Sequence, residues 1–327
     1  MTKVSVVIPT YNRANLISKC IHSVLNQTCS SFELIVVDDG STDNTKEIVY
    51  DIIEKNDAKI KYFYQENGGT YSARNLGLEK CQGKYVNFLD SDDFIMPNFL
   101  EVLIKILDSK PELGMVFCNS IRYDSDNSRI TVSPLKTGKS YSKTRLNLIF
   151  RKGHVPHGAS LIRRTCFEKT GHFNGKNRVA EDRFFNTVFA KFFNAIGIQN
   201  PLFVHVIHGS KNPQIPLGEQ NSFISYDEQI NNTEKPFLEK IKKDKILKKQ
   251  YIFFENRIES EYNFSWGWSY YSRGHKEKAK SFLLQSLYSN LLNYKALYIL
   301  VLNQINYYDR ERATRYNLIE QKINNET

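Results

Sequence analysis

Three short apolar runs in the first part of the chain each end in a polar cluster. The runs and the clusters that follow them are 4–8 with 10–13, 32–37 with 38–40, and 84–89 with 90–93. Continuous apolar runs of this length are typical of strands that are buried on both faces of a parallel sheet. Ligands bind such sheets at the carboxyl ends of the strands, so the three clusters are expected to meet in one crevice.

Helical patterns separate the apolar runs. Residues 17–25 carry apolar side chains at helical spacing, and 70–80 and 97–107 are also predicted to be helical. Strands that alternate with helices over about 115 residues predict an α/β fold with a mostly parallel central sheet flanked by helices. From about 120 to 150 the sequence is polar and is expected to form a loop.

The chain changes character after a stretch rich in Pro, Gly and Asn at 209–222, which is typical of a domain boundary. Beyond it, residues 225–305 show helical patterns, and 235–249 contain seven lysines. The predicted division is a catalytic domain at 1–218 and a helical C-terminal region at 219–327. The spacing of small and aromatic residues there fits a helical hairpin or one tetratricopeptide-like helix pair.

Composition excludes several classes of protein. Of the 327 residues, 41% are hydrophobic and 24% are charged, which permits a full core and argues against disorder. The net charge of +10 fits anionic lipids or small molecules, and no zinc, helix-turn-helix or RNA-binding signature supports nucleic acid as a partner. No apolar run approaches the roughly 20 residues that span a bilayer. The five cysteines form no Cys-x-x-Cys pair, which favours a reducing cytoplasm.

The acidic strand ends are candidate binding sites. In Asp90-Ser91-Asp92, two carboxylates at i and i+2 can share a hard divalent cation and leave positions for phosphate oxygens. A solvated acidic turn is the alternative, but the position directly after an apolar strand favours the metal site. Asp38 and Asp39 could accept hydrogen bonds from a nucleobase or a ribose, or could equally cap a turn.

Further residues are candidates for chemistry. Arg74, near a helix start, could bind a phosphate or brace an acid, although an arginine in such a place is often a surface residue. In Glu181-Asp182, a carboxylate on a rigid helix could take a proton from a hydroxyl, or both acids could complement the helix dipole. His208 could ligate a metal or meet a phosphate, but a single histidine more often does neither.

Together these residues resemble the family 2 glycosyltransferases of the GT-A fold. The matching segments lie in order at 4–13, 23–28, 36–43, 67–69, 73–77, 88–93, 161–164, 171–173 and 181–182. The resemblance covers about residues 1–210. It implies a GT-A type central sheet, a nucleotide-sugar donor that is UDP-linked by family habit, and inversion at the anomeric carbon.

The resemblance implies which residues bind the nucleotide. Asp39 matches the position that meets the base. The other matching positions are Pro9, Tyr11, Asn67 and Arg74. These residues therefore form the expected nucleotide-binding set.

The resemblance also implies a bound metal. Asp92 matches the principal ligand of Mn²⁺ or Mg²⁺, Asp90 matches a position near the ribose and diphosphate, and His208 is a further expected ligand. Family members often carry a Tyr-Arg pair shortly before this histidine, whereas this chain has His205-Val206. The chain therefore departs from the family pattern beside the expected metal site.

On the acceptor side, Asp182 matches the general base. Glu181 and His157 are assigned to the acceptor. The Gln-x-x-Arg-Trp signature of processive synthases is absent, because neither Trp266 nor Trp268 follows an arginine. Transfer of one sugar per encounter is therefore expected.

The predicted function is the transfer of a sugar to a glycan or lipid-linked acceptor in surface polysaccharide synthesis, by a cytoplasmic enzyme that can be peripheral on the inner face of the membrane. The C-terminal region is expected to contact the acceptor, an anionic membrane or a second copy of the chain. A non-catalytic membrane or assembly scaffold is one alternative, motivated by the basic helical tail. A sugar nucleotidyltransferase is another, but residues 9–13 contain no glycine for its phosphate loop.

Overall fold

The computed structural model describes most of the chain. It covers residues 2–55, 60–132, 155–173, 181–208, 231, 235–250, 254–272, 275–290, 296 and 300. The chain divides into two compact units, Met1–Ser225 and Tyr226–Thr327. The stretch 209–222, where the domain boundary is predicted, lies outside the described residues, so a division at 218 stays a prediction.

Strands and helices alternate through most of the first unit. The described strands are β1 (Val4–Thr10), β2 (Phe32–Asp38), β3 (Ile60–Tyr64), β4 (Tyr85–Phe88), β5 (Phe94–Ile95), β6 (Leu113–Asp124), β7 (Arg129–Val132), β8 (Ser160–Arg163) and β9 (Asn194–Ile207). The described helices are α1 (Ile17–Leu25), α2 (Thr45–Lys55), α3 (Thr70–Lys80), α4 (Phe99–Ser109), α5 (Phe167–Thr170) and α6 (Glu181–Phe192), with short 3-10 turns at His157–Ala159 and Arg164–Cys166.

These strands join one sheet. Its order is β3-β2-β1-β4-β8-β6-β9-β5, and β7 pairs with β6 outside this path. The neighbours β3, β2, β1 and β4 are parallel, as are β6 and β9, whereas β8 runs antiparallel to both β4 and β6. The prediction of an α/β fold with a mostly parallel central sheet is confirmed.

The central strands are buried on both faces by helices. Every residue of β1 and β2 is buried, which explains their continuous apolar sequences. The helical residues that cover one face are Ile17, Cys20, Ile21 and Val24 of α1 and Phe99, Leu100, Leu103 and Leu107 of α4. Burial of a large aliphatic or aromatic side chain contributes roughly 1.5–3 kcal/mol. This core holds the strand ends in fixed positions.

One glycine sets the distance between α3 and β1. A Cβ built on Gly77 of α3 would lie 2.2 Å from Cγ1 of Val7 in β1. Carbon atoms do not approach so closely in a packed core, so any side chain at this position would push the helix away from the sheet. Because α3 also carries Arg74, the contact helps to fix the depth of that arginine.

The prediction of a loop from about 120 to 150 is wrong at its start. β6 continues to Asp124 and forms a hairpin with β7, in which Tyr123 pairs with Ile130. The same part of β6 also pairs with β9. The side chains in this second half of β6 are partly exposed. The sequence there therefore lacks the continuous apolar run of a buried strand, although the backbone pairing continues. Residues 133–150 lie outside the described part of the chain.

The second unit is helical where it is described. Its helices are α7 (Lys235–Lys242), α8 (Lys245–Gln250), α9 (Phe254–Ser272) and α10 (Lys276–Ser289). α9 and α10 pack against each other, and the hydroxyls of Ser260 and Ser286 each donate to the other residue's carbonyl oxygen at 2.8 Å. The predicted helical pair is thus present. Within the described ranges, no helix is both long and apolar enough to cross a bilayer.

Candidate active site

Three adjacent parallel strands bring their polar ends to one edge of the sheet. β1 lies between β2 and β4. Backbone contacts continue just past the strands, since the Asp39 N–H donates to the Thr10 carbonyl oxygen at 2.8 Å and the Leu89 N–H donates to the Val7 oxygen at 2.9 Å. The polar clusters that follow these strands therefore lie side by side.

The buried carboxylate of Asp39 is bound by the loop before α3. Its Oδ1 accepts hydrogen bonds from Nε2 of Gln65 at 2.6 Å and from the Gly68 N–H at 2.9 Å. Its Oδ2 accepts from the N–H of Gly69 at 2.8 Å, and Gly69 has a φ of +91°, which favours glycine. A carboxylate offers about four lone-pair positions, so these three bonds leave capacity for a further donor.

Asp38 has a different role from its neighbour. Its Oδ2 accepts a hydrogen bond from the Tyr62 hydroxyl at 2.6 Å, and its Oδ1 accepts from the Ser41 N–H at 2.8 Å. Burial, and then the hydrogen bond to Asp38, raise the pKa of Tyr62 above its ordinary value. Asp38 thus joins β3 to the turn after β2. For Asp38 the structure shows the turn-capping role that the sequence left open.

The other residues expected at the nucleotide lie around this turn. Pro9 is buried in β1, Tyr11 is half-buried just after the strand, and Asn67 is exposed in the loop that binds Asp39. Gly40, with a φ of +86°, packs against the loop, since a Cβ there would lie 2.9 Å from the backbone nitrogen of Asn67. The end of β2 and the loop are therefore closely packed.

Arg74 links two acidic parts of the site. It lies in α3 and is 4% exposed. Its Nη2 donates to Oδ1 of Asp90 at 2.7 Å, and its Nη1 is 3.6 Å from Oδ1 of Asp182. The guanidinium carbon lies 5.8 Å from the centroid of the Phe173 ring. Arg74 is therefore a buried and paired cation, and the surface alternative does not apply.

Asp182 lies in the first turn of α6 against His157. Its Oδ1 is 3.2 Å from Nε2 of His157, and its Oδ2 accepts the His157 backbone N–H at 3.4 Å. The Asp182 side chain is 17% exposed, whereas that of His157 is 1% exposed. The acceptor contact expected of His157 stays a prediction that this burial does not favour. The side chain of Glu181 lies outside the described part, so its acceptor contact also stays a prediction.

Asp92 and His208 face each other beside Asp90. Nε2 of His208 is 3.9 Å from Oδ2 of Asp92, which is too long for a hydrogen bond. Among the described residues, this buried nitrogen has no hydrogen-bond partner. Burial, and then the neighbouring charge of Asp90, raise the pKa of Asp92.

Asp90, Asp92 and His208 have the side-chain chemistry that a hard divalent cation binds. Carboxylate oxygens and an imidazole nitrogen are ligands that Mn²⁺ accepts, and carboxylates also suit Mg²⁺. The partnerless nitrogen of His208 beside Asp92 fits such an ion. Over the described ranges, however, no three His, Cys, Asp or Glu side chains lie close enough to form a complete cation site. Asp90 is instead bonded to Arg74.

Asp93 has a structural role that the sequence did not reveal. Its Oδ1 accepts the Val206 N–H at 2.9 Å and lies 3.3 Å from Nδ1 of His205. Burial raises the pKa of Asp93 to about 7, and the contact with His205 opposes this rise. The contact joins the turn after β4 to the end of β9, which places His208 near Asp92. A separation of 113 residues leaves no local signal for it.

A second unpredicted contact positions Phe173. The Asn75 side chain donates from Nδ2 to the Phe173 carbonyl oxygen at 2.9 Å, and its Oδ1 accepts the Phe173 N–H at 2.9 Å. The amide of Asn75 therefore pairs with the backbone of Phe173 and holds its ring beside Arg74. Both residues belong to matching segments, but their pairing is not visible in the sequence.

A mostly parallel sheet with an acidic cluster and a buried arginine at its carboxyl edge defines a GT-A type glycosyltransferase architecture. The family described as Glycosyl transferase family 2 matches residues 5–171. The chain belongs to this family, and the GT-A fold that the resemblance implies is confirmed.

Several known proteins are similar to the chain. An uncharacterized glycosyltransferase of Rickettsia prowazekii (strain Madrid E) is 32% identical over 251 residues, which are 75% of this chain and 74% of the relative. Another, from Rickettsia bellii (strain RML369-C), is 50% identical over 106 residues, 32% of this chain; the match spans 15% of that relative's length. The structure of S. aureus TarS 1-349 in complex with UDP-GlcNAc is similar with a TM-score of 0.63 at 19% identity, over 87% of this chain and 82% of that one.

Proposed function

We propose that the chain is an inverting glycosyltransferase that moves one sugar from a nucleotide-diphospho-sugar to a hydroxyl of a glycan or lipid-linked acceptor in surface polysaccharide synthesis. The observation that carries the proposal is the position of Arg74 between Asp90 and Asp182, at 2.7 and 3.6 Å. A buried cation between the expected donor-binding residue and the expected base can stabilise the charge that develops in a displacement between two bound substrates.

The proposed reaction uses this arrangement. The carboxylate of Asp182 accepts the proton of the acceptor hydroxyl, whose oxygen forms a bond to the anomeric carbon. The bond from that carbon to the diphosphate oxygen breaks on the opposite face, so the configuration inverts and the nucleoside diphosphate leaves with the electron pair. The guanidinium of Arg74 offsets the negative charge that grows on the leaving group.

The nucleotide would bind at the end of β2. Asp39 retains acceptor capacity for an N–H of the base, and Pro9, Tyr11 and Asn67 lie around it. UDP is the first nucleotide to test, because the similar TarS structure is a complex with UDP-GlcNAc. The similarity supports a choice of nucleotide and not a choice of sugar.

A divalent cation, Mn²⁺ or Mg²⁺, would be held by Asp92 and Asp90 with His208. When bound, such an ion acts as a Lewis acid toward the diphosphate. Burial and then the charge of Asp90 raise the pKa of Asp92, and a bound cation would favour its charged form.

The second unit is proposed to provide contacts outside the reaction centre. Seven lysines in 235–249 suit an anionic membrane surface or a lipid-phosphate acceptor. In this proposal the enzyme lies at the inner face of the cell membrane, and the helical region contacts the acceptor, the lipid or a second copy of the chain.

A panel of nucleotide sugars tests the proposal. The purified chain is incubated with each sugar nucleotide and Mn²⁺, Mg²⁺ or EDTA, and release of the nucleoside diphosphate is measured. We expect metal-dependent release from one donor class, and a loss of about 10²- to 10⁴-fold in Asp182→Asn. Asp51→Asn, an exposed carboxylate on α2, is the matched control and should keep full activity.

Full activity of Asp182→Asn would contradict the assignment of Asp182 as the general base. Release of the nucleoside diphosphate that is unaffected by EDTA would contradict the proposed metal dependence. Binding to anionic vesicles without turnover of any nucleotide sugar would favour a scaffold over an enzyme. NMR of the transferred sugar reports whether the anomeric configuration is inverted.

A further inference from the structure

His157 is a histidine buried among aromatic rings. It lies in the 3-10 turn that precedes β8, and its side chain is 1% exposed. The centroid of its ring lies 5.0 Å from that of Phe173, 5.2 Å from Phe185 and 6.2 Å from Phe88. An imidazole in apolar surroundings costs free energy unless its nitrogens are paired. A phenylalanine could fill the same space among these rings. Packing therefore does not explain why the residue is a histidine, whose ring nitrogens are polar.

The imidazole and the backbone of His157 lie against the two oxygens of one carboxylate. Nε2 is 3.2 Å from Oδ1 of Asp182, and the backbone N–H donates to Oδ2 at 3.4 Å. Two contacts from one residue to the two oxygens define the plane of the carboxylate. The carboxylate remains 17% exposed, so a hydroxyl can still reach it from solvent.

The turn that carries His157 is itself fixed. The His157 carbonyl oxygen accepts hydrogen bonds from Nδ2 of Asn87 at 3.3 Å and from Oγ of Ser160 at 2.9 Å. Asn87 is fully buried and also donates to the carbonyl oxygens of Gly158 and Ser160. A Cβ on Gly158 would lie 2.6 Å from the Phe203 ring, so the turn packs closely on its other side too. Asn87 lies in β4, the strand that leads to Asp90.

We propose that His157 is a positioning residue that orients Asp182 for proton abstraction. In this role the imidazole carries its proton on Nε2 and would donate it to Oδ1 of Asp182, 3.2 Å away, once the two groups align, which leaves a lone pair of Oδ2 directed toward the acceptor hydroxyl. The proton taken from the acceptor then resides on Oδ2, and the bond from Nε2 to Oδ1 persists. This role rests on the proposed function, and it places His157 behind the carboxylate, away from the acceptor.

Two substitutions separate the nitrogen from the packing. His157→Phe keeps an aromatic ring in the cluster but removes Nε2, whereas His157→Gln can place an amide N–H near the same point. His22→Phe, an exposed histidine on α1, is the control. The readouts are kcat and KM for metal-dependent hydrolysis of UDP-GlcNAc or the best donor of the panel, the Kd for UDP, and the Tm.

We expect kcat of His157→Phe to fall about 10- to 100-fold, the usual size of losing a residue that supports a reacting group, with the UDP Kd changed less than about 2-fold. His157→Gln should recover much of the loss, and His22→Phe should match the wild type. A wild-type kcat in folded His157→Phe would overturn the proposal, as would equal losses in folded Phe and Gln variants.

A crystal structure of His157→Phe provides a test that does not depend on turnover. We expect the Asp182 carboxylate to rotate from its present plane or to become disordered. An unchanged carboxylate would overturn the positioning role even if the wild type hydrolysed no nucleotide sugar. Absence of wild-type hydrolysis together with a rotated carboxylate would count against the proposed function alone.

Discussion

Arg74 donates a hydrogen bond from Nη2 to Oδ1 of Asp90 at 2.7 Å while the arginine itself is 4% exposed. A buried guanidinium is tolerated when charges and hydrogen bonds surround it, and removal of one partner of such a pair is costly. The same cation lies 3.6 Å from Asp182. The donor side and the base side of the proposed site therefore share one positive charge.

Arg74→Lys should weaken nucleotide binding, because a single ammonium cannot span two carboxylates and a diphosphate as a planar guanidinium can. We expect the UDP Kd from isothermal titration calorimetry to rise about 10-fold, equivalent to about 1.4 kcal/mol. Glu79→Gln, an exposed position on the same helix, should bind as the wild type does. Equal affinities in Arg74→Lys and the wild type would show that Arg74 does not contact the diphosphate.

Asp39→Asn should loosen the loop that precedes α3. The carboxylate accepts from Gln65, Gly68 and Gly69, whereas an amide would turn its NH₂ group toward at least one of these donors. The expected loss in the free energy of unfolding is about 1–3 kcal/mol by urea denaturation. Asp51→Asn serves as the exposed control, and a stability loss no larger than in that control would contradict the prediction.

Glu33 makes the stability of the first unit depend on pH. This buried carboxylate accepts from Oγ of Ser5 at 2.6 Å, Nζ of Lys61 at 2.8 Å and the Gln82 N–H at 2.7 Å. Burial acts to raise its pKa, but the three bonds together hold the pKa below its ordinary value. A lowered pKa gives stability that is present above the unfolded pKa of about 4.3 and is lost as the pH falls through the folded pKa.

Glu33→Gln should therefore destabilise the fold at pH 7 by about 1–3 kcal/mol. The difference from the wild type should shrink as the pH falls below about 4.3. Chemical denaturation at a series of pH values measures this, with Glu47→Gln on the exposed side of α2 as the control. A difference that stays constant down to the acid limit would show that the charge of Glu33 is not involved.

Gly77→Ala should destabilise the protein although alanine is the better helix former. Helix propensity favours alanine by about 1 kcal/mol, but the new Cβ would lie 2.2 Å from Val7, and overpacking costs about 1–3 kcal/mol. The Tm of Gly77→Ala should be lower than that of the wild type. In a Val7→Ala background, where the clashing methyl groups are absent, adding Gly77→Ala should lower the Tm less or not at all. Additive effects in this double-mutant cycle would contradict the proposed contact.

The sequence allowed the parallel part of the sheet and the meeting of its acidic ends to be predicted, because buried parallel strands carry continuous apolar runs. It did not reveal the second half of β6, where exposed polar side chains hide the backbone pairing. It also could not show that Asn75 pairs with Phe173, or Asp93 with Val206, because side-chain to backbone contacts at 98 and 113 residues leave no local pattern. For the same reason the sequence did not reveal the contact of His157 with Asp182, 25 residues away.

The reversed direction of β8 has a consequence for how such a site can vary. Because Val86 pairs with Ile162 in antiparallel register, β8 begins where β4 ends. The residues proposed to bind the nucleotide sugar after β4 therefore lie where the chain leaves the sheet. His157 lies where the chain enters the sheet again, just before β8. Changes in the chain before β8 can therefore alter the surroundings of Asp182, the proposed base, without changing β1, β2 and β4, which lead to the proposed nucleotide site.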